Sequence, residues 1–241
     1  MEGDDEMIYL LVIVLAYLIG SFPSGVAVVR IVRGIDVRWV GSRRSGATNV
    51  FRAAGIVSAF IVFALDTLKG AVAVWLGMWL AGAPAVAARW VAWTGVTTSW
   101  PLPLAAVSPV WAGLAAGLAA IAGHNWPIYI RFRGGRGVST TLGTIIPLSP
   151  LVAGVGFLVG VSIILVSRYA SLGSLIGCLV IPAGLLVQSL FVPVPFVVIL
   201  YGVFVAGMII FQHRDNIGRL KAGTERKLGA RAEPPRSDGP H

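Results

Sequence analysis

Three short polar segments interrupt an otherwise apolar chain, and each is built from residue types that grip phosphate. They are Gly41-Ser42-Arg43-Arg44-Ser45-Gly46-Ala47-Thr48-Asn49 with Arg52 just beyond, Gly134-Gly135-Arg136-Gly137, and His213 through Asn216 and Arg219 to Glu225. Glycines let backbone N–H groups close on an anion, and arginines match phosphate oxygens two at a time. Such segments at the ends of apolar helices point to a phosphorylated molecule handled at a bilayer surface.

The individual residues differ in what they can do. Arg136 is enclosed by Gly134, Gly135 and Gly137, so little side-chain bulk surrounds one cation and an oxyanion can approach it. Ser42, Gly46, Thr48, Asn49 and Arg52 form a run too rich in small polar groups for a mere tether, and contact with phosphate or substrate is expected of them. His213, Asn216 and Arg219 recur every three residues, which places them on one face of a helix leaving the membrane. Asp66 and Lys69, also three apart, are the two charges well inside an apolar stretch. Charges there are costly and face the bundle interior, so a structural ion pair is expected, with a wall of the polar site as the other reading. His124, before Asn125-Trp126-Pro127, reads as structural support rather than as a base. Arg168 and Ser171 sit between two apolar stretches, where an Arg and Tyr belt competes with a part in the site.

The elements that must position these residues are membrane helices. Of the 241 residues, 56% are hydrophobic and 12% charged, with a mean hydropathy of +0.84. A soluble domain carries roughly a quarter charged residues. Apolar stretches run near 7–30, 56–82, 109–130, 138–147, 150–167, 170–191 and 195–212. The short one at 138–147 decides the count, because ten residues of helix reach only ~15 Å, half the hydrocarbon thickness. Taken as a separate half-length helix, it gives seven spans and puts the basic clusters at 30–52, 131–136 and 214–236 on one side. The positive-inside rule makes that side the cytoplasm. The fold class expected is an all-α integral membrane bundle of seven spans, with one or two short or half-length helices, the N-terminus outside and the C-terminus cytoplasmic. A short amphipathic or half-inserted helix is expected at 46–54. Residues 1–222 form a single membrane domain on this reading, and 223–241, with Pro234-Pro235, form a flexible cytoplasmic tail. The 83–107 connection, whose one charge is Arg89, falls outside.

The net charge of +9 fits anionic lipid heads and phosphorylated substrates better than nucleic acid, given the apolar bulk. The single Cys178 forms no internal disulfide and reads as a small buried side chain. The chain has no G-x-S-x-G elbow, no H-E-x-x-H, no Cys/His metal cluster and no Walker loop. The His-x4-Asp signature of coenzyme-A-dependent glycerolipid acyltransferases is missing too, since Tyr129 follows His124 by five and Gly218 follows His213 by five. No metal, cofactor or thioester chemistry is therefore expected.

Together the motifs resemble those of the bacterial acyl-phosphate-dependent glycerol-3-phosphate acyltransferases, the PlsY family. That family's G-S-x-N-x-G-A-T-N is similar to residues 41–49, with Arg52 after it, and its D-x-x-K-G to Asp66-Thr67-Leu68-Lys69-Gly70. Its G-H-x-x-P and F-x-G-G-K-G-V-A-T resemble Gly123 to Pro127 and Phe132 to Thr140. Arg168-Tyr169-Ala170-Ser171 is similar to an R-Y-x-S stretch, and His213 to Glu225 to H-R-x-N-I-x-R-L-x-x-G-x-E. The resemblance implies seven spans and an active site facing the cytoplasm of the bacterial inner membrane. It implies acyl transfer from acyl phosphate to glycerol 3-phosphate, with lysophosphatidate and phosphate as products of phospholipid biosynthesis and no coenzyme A. Two departures stand out: Arg44 replaces an Asn, and Arg136 replaces a Lys. Arg44 either crowds the site or adds a phosphate clamp.

On this reading His213, Arg136, Asn216 and Glu225 are the catalytic group. Ser42, Gly46, Thr48, Asn49, Arg52, Gly134, Gly135, Gly137, Ser171 and Arg219 bind substrate together with Arg136 and Asn216, while Asp66, Lys69, His124 and Arg168 support the site. A transporter of a phosphorylated metabolite and a weakly active acyltransferase paralogue are the alternatives.

Overall fold

The computed structural model describes residues 2–81 and 109–229, so the expectations for the 83–107 connection and for residues 230–241 fall almost wholly outside it. Among the described residues the regular structure is all helical. α1 (Glu2–Ser21) and α2 (Ser24–Arg33) meet at Pro23, which cannot donate a backbone hydrogen bond. α3 (Ala47–Leu80) is interrupted at Gly55, whose φ of 82° and ψ of −178° only glycine adopts readily. Its first eight residues are the short helix expected at 46–54. α4 (Pro109–Asn125) is followed by the glycine loop, and Gly137 at φ 81° turns the chain into α5 (Val138–Ile145). α5 has eight residues, the half-length helix expected from the sequence.

α6 (Pro150–Ser167) starts with Ser149 as cap, its hydroxyl accepting the Val152 N–H at 3.3 Å, and with Pro150 at the first helical position. α7 (Ala170–Ser189), α8 (Phe196–Gln212) and α9 (Arg214–Lys221) complete the order. α9 leaves α8 at an angle of 62°. Four of the described helices or helix runs are long and apolar enough to cross a membrane, and α8 with α9 makes a fifth. α4, at 17 residues, and α5 are shorter than those.

Without a hydrophobic force between spans, close backbone approach supplies the packing, and glycine permits it. A side chain at Gly20 would strike Ala120 in α4, and one at Gly77 would strike Ala112 and Ala116. Gly70 of α3 abuts the Thr140 carbonyl of α5, and Gly143 of α5 abuts the Thr67 carbonyl of α3. This reciprocal contact presses the short helix against the long one. α6 and α7 meet through Gly156, Gly160, Gly173 and Gly177. A core of Ile121, Ile145, Leu185, Tyr201 and Val205 joins α4, α5, α7 and α8. Within it the Tyr201 hydroxyl donates to Thr144 Oγ1 at 2.7 Å, which satisfies two polar groups of an otherwise apolar layer.

Candidate active site

At one end of the bundle lies a cavity of about 400 Å³. The first polar segment, the glycine loop, the start of α7 and the α8–α9 elbow all contribute to its wall. Ser42, Arg44, Thr48, Arg52, Arg136, His213, Asn216, Arg219 and Glu225 line it. Residues more than 170 positions apart in the chain thus meet in one place.

Asn49 shapes the first wall. It is 2% exposed, and its amide nitrogen donates to the carbonyls of Val37, Val40 and Arg44 at 2.9–3.0 Å. Its oxygen accepts the Ser42 N–H at 3.0 Å. The side chain is fully engaged in holding the 37–44 loop. Expected as a substrate contact, it borders the cavity and holds this loop in place. Gly46 and Thr48 border the cavity at the start of α3.

The second wall separates the glycines by role. Gly137 and Arg136 line the cavity, whereas Gly134 and Gly135 do not. Expected to bind substrate, these two form the rear of the loop. The Gly135 N–H donates to the His124 carbonyl at 3.1 Å and the Gly134 N–H to that of Asn125 at 3.3 Å. The His124 ring lies so close behind Gly135 that a side chain there would collide with Nε2. His124 Nδ1 faces Asp66 Oδ1 at 3.4 Å. Asp66 is held by Lys69 Nζ at 2.8 Å and by the Ser24 hydroxyl at 2.5 Å. Lys69 also donates to the Phe22 carbonyl at 3.0 Å. The intramembrane pair expected from the sequence is present, and through His124 it braces the loop that presents Arg136. Ser24 was not anticipated. The signal for it is Pro23, which breaks the α1–α2 run and frees nearby polar groups to bond elsewhere.

Arg136 is anchored through Nε, which donates to the Gln212 carbonyl at 3.2 Å, leaving its two terminal nitrogens for the cavity. Burial, then the nearby charges of Arg44 and Arg219, lower its pKa to about 10, so it stays cationic at neutral pH. The third wall centres on Glu225. Its Oε1 accepts from Ser171 Oγ at 2.7 Å and from Asn216 Nδ2 at 2.6 Å, and its Oε2 from Arg219 Nε at 2.7 Å. Burial opposes ionisation there, but these three donors prevail and hold the carboxyl below its ordinary pKa. Arg168 stands apart from the cavity, donating to the Leu228 carbonyl at 3.2 Å and accepting its N–H at 2.6 Å. It ties down the segment that carries Glu225.

His213 sits in the elbow between α8 and α9, 2% exposed. Its Nδ1 lies 2.8 Å from the Ile209 carbonyl. A carbonyl only accepts, so Nδ1 carries the proton and Nε2 of the neutral ring carries the lone pair. Burial first, then the Arg136 charge, push the His213 pKa down to about 4.

The cavity opens into an apolar groove of about 110 Å³ between α3, α5, α6, α7 and α8. Phe63, Val138, Ile164 and Ser174 border both. Leu142, Val161, Ile181 and Ile209 line the groove further in. Cys178, buried as expected, lies there too.

A family model described as glycerol-3-phosphate acyltransferase matches residues 10–223. Relatives named glycerol-3-phosphate acyltransferase include one from Thermoanaerobacter sp. (strain X514), 37% identical over 94% of this chain and 99% of its own. One from Moorella thermoacetica, named glycerol-3-phosphate acyltransferase 2, is 40% identical over 93% of this chain and all of its own, 100%. Among solved structures, the glycerol 3-phosphate form of PlsY (YgiH), an integral membrane glycerol 3-phosphate acyltransferase, aligns with a TM-score of 0.72 at 34% identity, covering 92% of this chain and 96% of that one. The lysophosphatidic acid form of PlsY aligns with a TM-score of 0.69 at 32% identity, covering 92% and 95%. With a family model spanning most of its length and relatives this similar end to end, the chain belongs to the glycerol-3-phosphate acyltransferase family of integral membrane proteins.

Proposed function

We propose that this glycerol-3-phosphate acyltransferase takes its acyl group from acyl phosphate, at the cytoplasmic face of the bacterial inner membrane. Its products are 1-acyl-glycerol 3-phosphate and inorganic phosphate. The observation that carries the reading is the junction of the cationic cavity with the apolar groove. An acyl chain lying between the spans places its carbonyl and phosphate at that junction, where a soluble phosphorylated acceptor meets it. The glycerol 3-phosphate and lysophosphatidic acid forms of the PlsY structures support acceptor and product of these classes.

The chemistry needs little beyond placement. Acyl phosphate is an activated mixed anhydride, and phosphate is a good leaving group. The acceptor hydroxyl oxygen bonds to the acyl carbon, the carbon–oxygen bond to phosphate breaks, and the phosphate departs with that electron pair. Holding both molecules in line is worth ~7–11 kcal/mol. Arg136, Ser42, Thr48 and backbone amides at the helix ends bind one phosphate. Arg52, Asn216 and Arg219 bind the other, with Glu225 fixing the last two. Cations facing the leaving phosphate and carbonyl oxygen stabilise the charge that builds there. His213 Nε2 accepts a hydrogen bond from the attacking hydroxyl and aims it. With a pKa of about 4 the ring is less basic than a phosphate group, whose second ionisation lies at about 6, so the proton leaves with the phosphate.

In the membrane, α1 with α2, then α3, α4, α5, α6, α7 and α8 make seven crossings, with the N-terminus outside and the C-terminus in the cytoplasm. The placement of all three polar segments at one end of the bundle supports this arrangement. The test is phosphate release by purified protein given palmitoyl phosphate and glycerol 3-phosphate, with palmitoyl coenzyme A beside it. Release with acyl phosphate and none with the thioester is expected. Turnover only with the thioester would refute the donor assignment.

A further inference from the structure

We propose that Arg44 acts with Arg136 as a two-guanidinium clamp for a phosphate dianion, a ligand that the asparagine of the family motif cannot supply. The proposal rests on the acyl-phosphate reading only for the name of its physiological ligand.

Arg44 borders the same cavity as Arg136 and is half-buried there. Its position is fixed through the backbone, because its carbonyl accepts from Asn49 Nδ2 at 2.9 Å. The side chain therefore starts from an anchored loop rather than a mobile one. Among the described residues the salt bridges run between Arg38 and Asp36, Lys69 and Asp66, His124 and Asp66, and Arg219 and Glu225. Neither Arg44 nor Arg136 takes part in any of them. Two cations thus share one partly enclosed space with no carboxylate bonded to either. Burial first, and then the charge of Arg44, disfavour the charge of Arg136. Glu225 and Asp215 offset this only in part and without a direct ion pair to either cation, and an anion with two negative charges relieves the rest. The Ser42 backbone region and Gly137 leave room for the oxygens.

Val138, the second residue after Arg136, borders both the cavity and the groove, and on this ground the clamp is assigned to the phosphate nearer the groove. The phosphate nearest the groove is the one attached to the acyl group. The same clamp holds inorganic phosphate after transfer, so the product leaves slowly and competes with the donor.

Calorimetric titration of the full chain in micelles with inorganic phosphate tests this without any turnover. Arg44→Asn is expected to weaken phosphate binding about tenfold or more, and Arg44→Lys, which keeps the charge but loses the fork, by an intermediate factor. In the acyl transfer assay, inhibition by inorganic phosphate should weaken in parallel, while the KM for glycerol 3-phosphate stays within about twofold. Should Arg44→Asn fail to fold, the lysine variant and a comparison of inorganic phosphate with the monoanion dimethyl phosphate on the unaltered chain still decide, a preference of about tenfold for the dianion being expected. Unchanged phosphate binding in the folded variants, or equal binding of dianion and monoanion, overturns the proposal. A rise in the KM for glycerol 3-phosphate with phosphate binding unchanged assigns Arg44 to the acceptor and overturns it too. Absence of turnover with acyl phosphate beside intact phosphate binding would instead strike the donor assignment alone.

Discussion

His213 has one ring nitrogen committed to Ile209 and the other left to accept. Replacing it with alanine should lower kcat on the order of a hundredfold with a smaller change in KM, read by steady-state kinetics, as expected for a group that acts on the attacking hydroxyl. Its ionisation also bears on stability. The folded pKa is about 4, against an ordinary value of 6.5, so the unfolded chain binds the proton more readily between those values. Stability is then unaffected above about pH 6.5 and falls as the pH drops towards 4. Thermal unfolding in detergent across that range should show a steeper acid loss for the unaltered chain than for His213→Gln. Glu225→Gln keeps the shape but removes the charge that steers Arg219, and a rise of about tenfold in the KM for glycerol 3-phosphate is expected. Much of this cluster was legible from spacing. The threefold recurrence of His213, Asn216 and Arg219 gave their shared face, although the elbow at His213 was not visible in it. Asn49 reads as a ligand in sequence because it is an amide beside Thr48, and its bonds to carbonyls up to twelve residues away were not visible there.

Single helices carry the next set of consequences. The glycine loop is fixed from behind by the chain Lys69, Asp66, His124, Gly135. Lys69→Met would leave Asp66 buried with only Ser24 and His124 beside it, and a loss of about 3–5 kcal/mol in unfolding free energy is expected. Gly135→Ala forces either the loop or the His124 ring to move. Activity should drop on the order of a hundredfold, since small misplacements of a substrate-holding group are that costly, while far less stability is lost than with Lys69→Met. The half-length of α5 was legible because ten residues of helix reach only about half the hydrocarbon thickness. Its partner was not, because the contact of Gly70 with Thr140 and of Gly143 with Thr67 involves bare backbone, which leaves no hydrophobic pattern in the sequence. The same limit explains why three glycines in one loop looked alike, when only Gly137 reaches the cavity.

For the molecule as a whole, the apolar content and basic clusters gave the membrane class, and the family motifs gave the assembly of the site. Single cysteines placed at the exposed positions Arg43, Arg133 and Lys221, with Cys178 replaced by alanine, should all react with an impermeant thiol reagent from the cytoplasmic side of oriented vesicles. Labelling of one of them from the opposite side would refute the proposed topology. The shared border at Phe63, Val138, Ile164 and Ser174 carries one more consequence. On the proposed reading, donor and product reach it by lateral diffusion within a leaflet, while the acceptor arrives from bulk water, so the two concentrations that set the rate have different dimensions. Adding inert detergent at constant molar donor should slow the reaction through a falling mole fraction, while the dependence on glycerol 3-phosphate keeps its ordinary molar form.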